Sequence, residues 1–243
     1  MMHKKVALVT GANKGIGFEI AKALASRGIS VYIGARSAER GYRAAADLSE
    51  SGLDARFVQL DVTDDKMIAA AAEKIEAEHG VLDILVNNAG LIDQADGPPS
   101  QVGLEVLRRT FETNFFGAVS VSRALLPLLR RSPAGRVVNV SSGLGSLALN
   151  EDPEWPFVDT KLLAYNASKA ALNMLTVQMA WELRNTGIKV NASNPNFTDT
   201  DLVPGLEGGR PAVDGARTSI DLALLAAEGP TGGFFEDGKR LPW

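Results

Sequence analysis

The chain of 243 residues contains no cysteine. Disulfides, thiolate nucleophiles and cysteine-ligated zinc are therefore excluded. Histidine is almost as scarce. His3 and His79 are the only two, too few imidazoles for a histidine-rich metal site, so no metal is expected. There is no excess of positive charge: 25 Lys and Arg stand against 29 Asp and Glu, a net charge of −4. The basic footprint of a nucleic-acid binder is absent. Long apolar runs are missing too, since none approaches the roughly 18–20 residues that a membrane helix needs. His3-Lys4-Lys5 leads directly into Val6-Ala7-Leu8-Val9, too short a run for the apolar region of a secretion signal. The expectation is a soluble cytoplasmic protein acting on a small molecule, with no nucleic-acid or membrane partner.

What is present alternates. Short β-branched apolar runs occur at residues 6–9, 31–33, 57–60, 84–86, 137–140 and 188–190, with a seventh plausible strand at Phe234-Phe235. Segments with helical spacing lie between them. Ile16, Ile20, Ala23 and Leu24 form one apolar stripe; Leu162, Leu163, Ala167, Ala170, Ala171, Met174, Leu175 and Val177 form another. Continuous apolar strands separated by helices predict a parallel sheet covered on both faces. Gly28, Gly80 and Gly187 punctuate predicted helix ends, where glycine supplies a left-handed cap. His79, just before Gly80, reads as a helix-end residue favoured by the dipole rather than as a catalytic group. No linker divides the chain, and residues 1–243 read as one α/β domain.

The first strand runs into Thr10-Gly11-Ala12-Asn13-Lys14-Gly15-Ile16-Gly17, which opens the first helix. Such a turn lets backbone N–H groups meet a pyrophosphate at a helix N-terminus. Three glycines there are equally compatible with a plain turn. The end of the second strand adds information. Dinucleotide folds usually carry an acidic residue there for the ribose 2′-hydroxyl. Here the residue is Arg36, which pairs with a 2′-phosphate where a carboxylate would repel it. With Lys14 as a second cation nearby, the reading is an NADP(H) site on a Rossmann-type, doubly wound parallel sheet of about seven strands.

Tyr165 and Lys169 stand four residues apart on a strongly helical segment, so they share a face. A free phenol has a pKa of about 10. A nearby cation is expected to lower it, which suits proton transfer to or from an alkoxide. Taken alone, such a pair is also a common feature of exposed helix faces. A serine hydrolase is excluded: no Gly-x-Ser-x-Gly surrounds Ser141-Ser142, and no histidine follows them.

The ordered set Thr10-Gly-x-x-x-Gly-x-Gly17, Asp61-Val62, Asn87-Asn88-Ala89-Gly90, Asn114, Ser141-Ser142, Tyr165-x-x-x-Lys169 and Pro195 resembles the short-chain dehydrogenase/reductase superfamily over nearly the whole chain. Residues 13–17, Arg36 and the tail from Glu228 to Trp243 resemble its NADPH-dependent carbonyl reductases. The resemblance implies a catalytic set of Asn114, Ser142, Tyr165 and Lys169. Tyr165 would be the proton donor, Lys169 its modulator and ribose contact, Ser142 the group polarising the carbonyl, and Asn114 the holder of a water. It further implies cofactor contacts from Gly11, Asn13, Lys14, Gly15, Ile16 and Gly17, from Arg36, Asp61 and Val62, and from Asn88, Ala89 and Gly90. Pro195, Thr198 and Thr200 would complete the nicotinamide end.

Two departures stand out. The family's usual Pro-Gly after the sixth strand is Pro195-Asn196 here; asparagine is the non-glycine residue best suited to positive φ. Residues 143–160 also carry about ten more than compact members, which leaves monomer or homo-oligomer undecided. Trp155 and Phe157 in this stretch are expected to cover the Tyr–Lys helix, to line the substrate cleft, or to belong to a plain surface loop. Leu91, Ile92, Leu144, Leu147, Trp155 and Leu202 are the expected pocket wall, with residues 203–211 as a lid. The expected reaction is NADPH-dependent reduction of a ketone or aldehyde. The alternatives are a secondary alcohol dehydrogenase working in the oxidative direction and a non-catalytic NADP(H)-sensing module.

Overall fold

The computed structural model describes residues 4–202 and 208–243. His3 and most of the 203–211 loop expected to act as a lid lie outside them. The first half of the chain alternates β1 (Val6–Thr10), α1 (Gly15–Ala25), β2 (Ser30–Ala35), α2 (Ala38–Glu50), β3 (Ala55–Gln59), α3 (Asp65–His79) and β4 (Ile84–Asn87). Next come α4 (Leu104–Phe111), a π-helical turn (Glu112–Phe116), α5 (Gly117–Leu129) and β5 (Arg136–Val140). A 3₁₀ turn (Gly143–Gly145), α6 (Leu147–Glu151), α7 (Leu163–Glu182) and β6 (Lys189–Ser193) follow, and then α8 (Ala212–Gly215), α9 (Arg217–Ala223), β7 (Phe234–Glu236) and β8 (Lys239–Arg240).

The strands form one sheet in the order β3-β2-β1-β4-β5-β6-β7-β8. All neighbours pair in parallel except β7 and β8. The described residues thus form eight strands rather than about seven. The addition is a two-residue antiparallel strand closed by Asp237-Gly238, with φ of 45° and 77°. Positive φ at both central residues is the tight-hairpin signature.

Period-two alternation sends each strand's side chains to both faces. In β1, Ala7 and Val9 join one buried cluster with Ile20, Leu24, Val31, Ile33 and Val138. Val6 and Leu8 join the other, with Tyr32, Ile75, Leu85, Leu125 and Val190. The chain works outward from β1 through β2 to β3, then crosses back to β4 on the other side. Crevices above that reversal, at the strands' C-terminal ends, are where doubly wound sheets bind ligands.

Gly28 and Gly80 take the expected left-handed conformation, with φ of 78° and 71°. Gly187 does not act as a cap: α7 ends at Glu182. A side chain at position 187 would instead lie 2.8 Å from the Pro133 carbonyl oxygen, so this glycine serves a close backbone approach.

Candidate active site

A groove of about 590 Å³ lies above the reversal. Gly11, Asn13, Lys14, Gly15, Ile16 and Gly17 line it at the end of β1. Gly11 and Gly15 have φ of 64° and 58°, conformations that cost L-residues with a Cβ. A Cβ on Gly17 would lie 2.8 Å from the Gly11 carbonyl and against the Asn88 amide. That amide braces the loop, donating to the carbonyls of Thr10 (2.9 Å) and Gly11 (3.2 Å). The Thr10 hydroxyl in turn accepts from the backbone N–H groups of Asn88 and Ala89, both at 3.0 Å. The loop is thus tied to the residues after β4, and Asn88, Ala89 and Gly90 face the groove as well. Asp61 and Val62 line its far wall.

Arg36 is exposed and lines this groove. Lys14 lines the same groove, and its charge is already engaged. Its ammonium bonds Asp201 at 2.6 Å across the groove, a partner 187 residues away that no local pattern announces. The second cation at the Arg36 end is Arg40, on α2. It stands in the first turn of α2, four residues after Arg36, which precedes that helix and its Ser37 cap. Glycines that permit close backbone approach, a helix N-terminus and two guanidiniums at the outer end fit a dinucleotide with a 2′-phosphate.

α7 carries Tyr165 and Lys169, both buried. Lys169 donates to the Val140 carbonyl at 2.8 Å, and its Nζ lies 5.6 Å from the centre of the Tyr165 ring. The expected lowering of the phenol's pKa is reversed in this structure. Burial pushes Tyr165 up to about 12, while the Ser142 hydroxyl beside it acts weakly the other way. Burial also pulls Lys169 down to about 8, because removing water disfavours the charged form of each group. The sequence places the two groups on one face but says nothing of how dry that face is.

The two serines part company. Ser141 is buried and donates to Asn173 Oδ1 at 2.6 Å. Ser142 opens toward a second cavity and accepts from the Leu144 N–H at 3.2 Å. Asn114 sits in the π turn and is 1% exposed. Its carbonyl oxygen accepts from the Leu91 N–H, and its amide donates to the Leu91 carbonyl and to Ser168. The extra residue of a π turn is often found at functional sites; here it holds the loop after β4 against α7. A Cβ on Gly90 would lie 3.4 Å from Asn114 Oδ1 and 3.5 Å from Lys169 Nζ, so both reach the same spot at the groove floor.

The second cavity, of about 750 Å³, adjoins the groove. Tyr165, Ile92, Thr200 and Leu202 line both. Pro195 lines the groove, whereas Thr198 lines only the second cavity. The Thr198 hydroxyl donates to the Pro195 carbonyl at 2.9 Å, which gives it a turn-holding position rather than a place in the cofactor groove. Of the expected apolar wall, Leu144 and Trp155 line the second cavity, and Phe157 joins them; the aromatic pair of the 143–160 stretch faces the cleft. Leu91 lines the groove instead. Leu147 is 71% exposed and belongs to neither. Asn196 adopts φ 57°, the conformation its side chain tolerates.

Besides Arg40, two further site residues have no counterpart among those expected from sequence. Asp96 accepts from the N–H groups of Ala164 (3.0 Å) and Tyr165 (2.8 Å), capping α7 from 68 residues away. Glu236, at the end of β7, reaches the second cavity and binds the amides of Asn194 and Asn196. Neither has a local sequence signal. Among the described residues no cluster could hold a metal ion, and no helix is long and apolar enough to cross a membrane.

A glycine-lined crevice over the strand reversal, joined through a helical Tyr–Lys pair to a largely apolar cavity, defines a dinucleotide-dependent oxidoreductase of the short-chain type. Residues 5–209 match the family model "short chain dehydrogenase", and the chain belongs to that family. Its similarity runs in particular to carbonyl reductases. It is 36% identical to mouse "Carbonyl reductase [NADPH] 1", over 99% of both chains. It is 39% identical to the pig protein of the same name, over 99% of this chain and 95% of that one. The structure titled "NADPH bound carbonyl reductase from chicken fatty liver" superposes with a TM-score of 0.87 at 27% identity, covering 100% of both chains.

Proposed function

We propose that this protein is an NADPH-dependent carbonyl reductase that reduces a ketone or aldehyde to the alcohol, with Tyr165 as proton donor. One observation carries the reading. Tyr165 is the titratable side chain that lines both the dinucleotide groove and the apolar cavity, so it stands where a cofactor and a carbonyl would meet. Bound NADPH would supply the hydride to the carbonyl carbon. The chain's own groups manage the oxygen. Ser142, beside the phenol, would donate to the oxygen as negative charge grows on it, the kind of preorganised stabilisation that matters most in such steps. Tyr165 would then release its proton to that oxygen. With its pKa pushed up to about 12, the phenol holds its proton at neutral pH and gives it up only as the oxygen becomes strongly basic. Lys169 reaches the groove floor and would hold the ribose. Asn114 keeps the floor in shape. Arg36 and Arg40 would grip the 2′-phosphate, which supports NADPH over NADH.

Part of the same reading are a soluble cytoplasmic location and a small-molecule substrate. The test mixes protein, NADPH and an activated aryl ketone and follows loss of the reduced-nicotinamide absorbance. The Tyr165→Phe variant should lose on the order of 10²–10⁴-fold in kcat, as for removal of a general acid. A near-wild-type rate in that variant would remove the assigned donor.

A further inference from the structure

Among the described residues, the wall of the second cavity is apolar or neutral, with Trp155, Phe157, Phe197, Leu144 and Ile92 prominent, except at one: Glu236 is the single charged side chain among those that line it. Its position is built, not incidental. Alternation along β7 buries Phe234 in the sheet and turns Glu236 to the same side one pleat later. There its two oxygens accept one amide each, from Asn194 and from Asn196 (2.7 Å). A carboxylate oxygen has two acceptor positions, so each oxygen keeps one for a ligand. Arg210 bonds Asp237 at 2.8 Å and the Pro195 carbonyl at 2.8 Å, and its Nη2 is buried without a hydrogen-bond partner. Lys239 faces Glu236 across the hairpin but is exposed, and no ion pair among the described residues neutralises the carboxylate.

The aromatic groups stand in a chain beside it. Trp155 and Phe157 have ring centres 5.5 Å apart, and Phe157 and Phe197 6.2 Å. Aromatic faces attract cations, and a carboxylate beside largely apolar walls attracts them more strongly than it would in bulk water. An anion meets the opposite field from both. We infer that Glu236 is a specificity-determining residue, and that the preferred substrates are bulky aromatic ketones carrying an ammonium group, with carboxylate-bearing ketones rejected. This rests on the carbonyl-reductase reading above.

The experiment uses three aryl ketones with one common core and a side arm ending in an ammonium, a neutral or a carboxylate group. With wild-type protein and NADPH, kcat/KM should fall in that order, by about tenfold from ammonium to neutral, mostly through KM, and the gap should narrow as salt is raised. In Glu236→Gln the ratio of ammonium to neutral ketone should collapse to within about twofold. That within-sample ratio is insensitive to how much of the variant is folded. Measurable reduction of the neutral ketone with no advantage for the ammonium arm overturns the inference and leaves the parent reading standing. No turnover of any of the three strikes the parent reading. In that event, binding of the same compounds to the protein with NADP⁺, read by tryptophan quenching, decides the charge preference: an ammonium advantage supports it and equal affinities end it.

Discussion

Lys169 should make this protein grow more stable as the solution becomes alkaline, and its removal should abolish that gain. The amine is 4% exposed and its hydrogen bond goes to a neutral carbonyl, that of Val140. Burial lowers its pKa from 10.5 to about 8. Between those two values the unfolded chain holds a proton that the folded chain has released. Stability therefore rises with pH across that window. A tenfold difference in proton affinity between the folded and unfolded chain corresponds to about 1.4 kcal/mol, so the rise from pH 7 to pH 10 comes to about 2 kcal/mol once partial titration at both ends is counted. Tyr165 and Tyr32 act in the opposite sense, because burial raises both; their loss of stability begins only as pH passes the unfolded phenol value of about 10. The window from 8 to 10 thus belongs to the lysine. Urea unfolding of the cofactor-free protein at pH 7, 8, 9 and 10 reads the effect in the midpoint at constant m-value. Lys169→Met should flatten the profile and, at pH 7, be at least as stable as wild type while failing in catalysis. A wild-type midpoint that falls steadily from pH 8 to 10, or a Lys169→Met profile that rises as the wild type's does, would show that the buried amine is not the source.

Other outcomes follow from the same geometry. Arg36→Ala should weaken NADPH binding by about 10–100-fold, the worth of a charge-assisted hydrogen bond of about 1.5–3 kcal/mol, and leave NADH binding unchanged; fluorescence titration with both cofactors checks the difference. Asp96→Ala removes the acceptor for the Ala164 and Tyr165 N–H groups; it should cost about 1–2 kcal/mol in urea unfolding, the usual value of a helix cap. Because the lost bond positions Tyr165, kcat should fall more than KM rises, and Asp96→Asn should restore part of it.

The fold was legible because its signals are local. Apolar runs and the helical stripes between them need only neighbouring residues to be read, and they located the seven parallel strands within a few positions. The sixth shows the limit: its apolar run begins at Ile188, but hydrogen bonding carries the strand on through Asn191 to Ser193, polar residues that pattern alone assigns to a loop. The glycine turn and the Tyr–Lys spacing were legible for the same reason, since each is a relation within a turn or two of chain, and Arg36 was legible from its place at the end of the second strand.

What stayed hidden joins distant residues or depends on dryness. Asp96 caps a helix 68 residues away and Glu236 steadies asparagines some 40 residues before it; in the sequence each is one more acidic residue in a chain of 29. Lys14 was readable as a cation but not as one already held by Asp201. The phenol is the sharpest instance. Four-residue spacing predicts that the ammonium lowers its pKa, yet the spacing is blind to the cost of burying both groups, and burial dominates each of them.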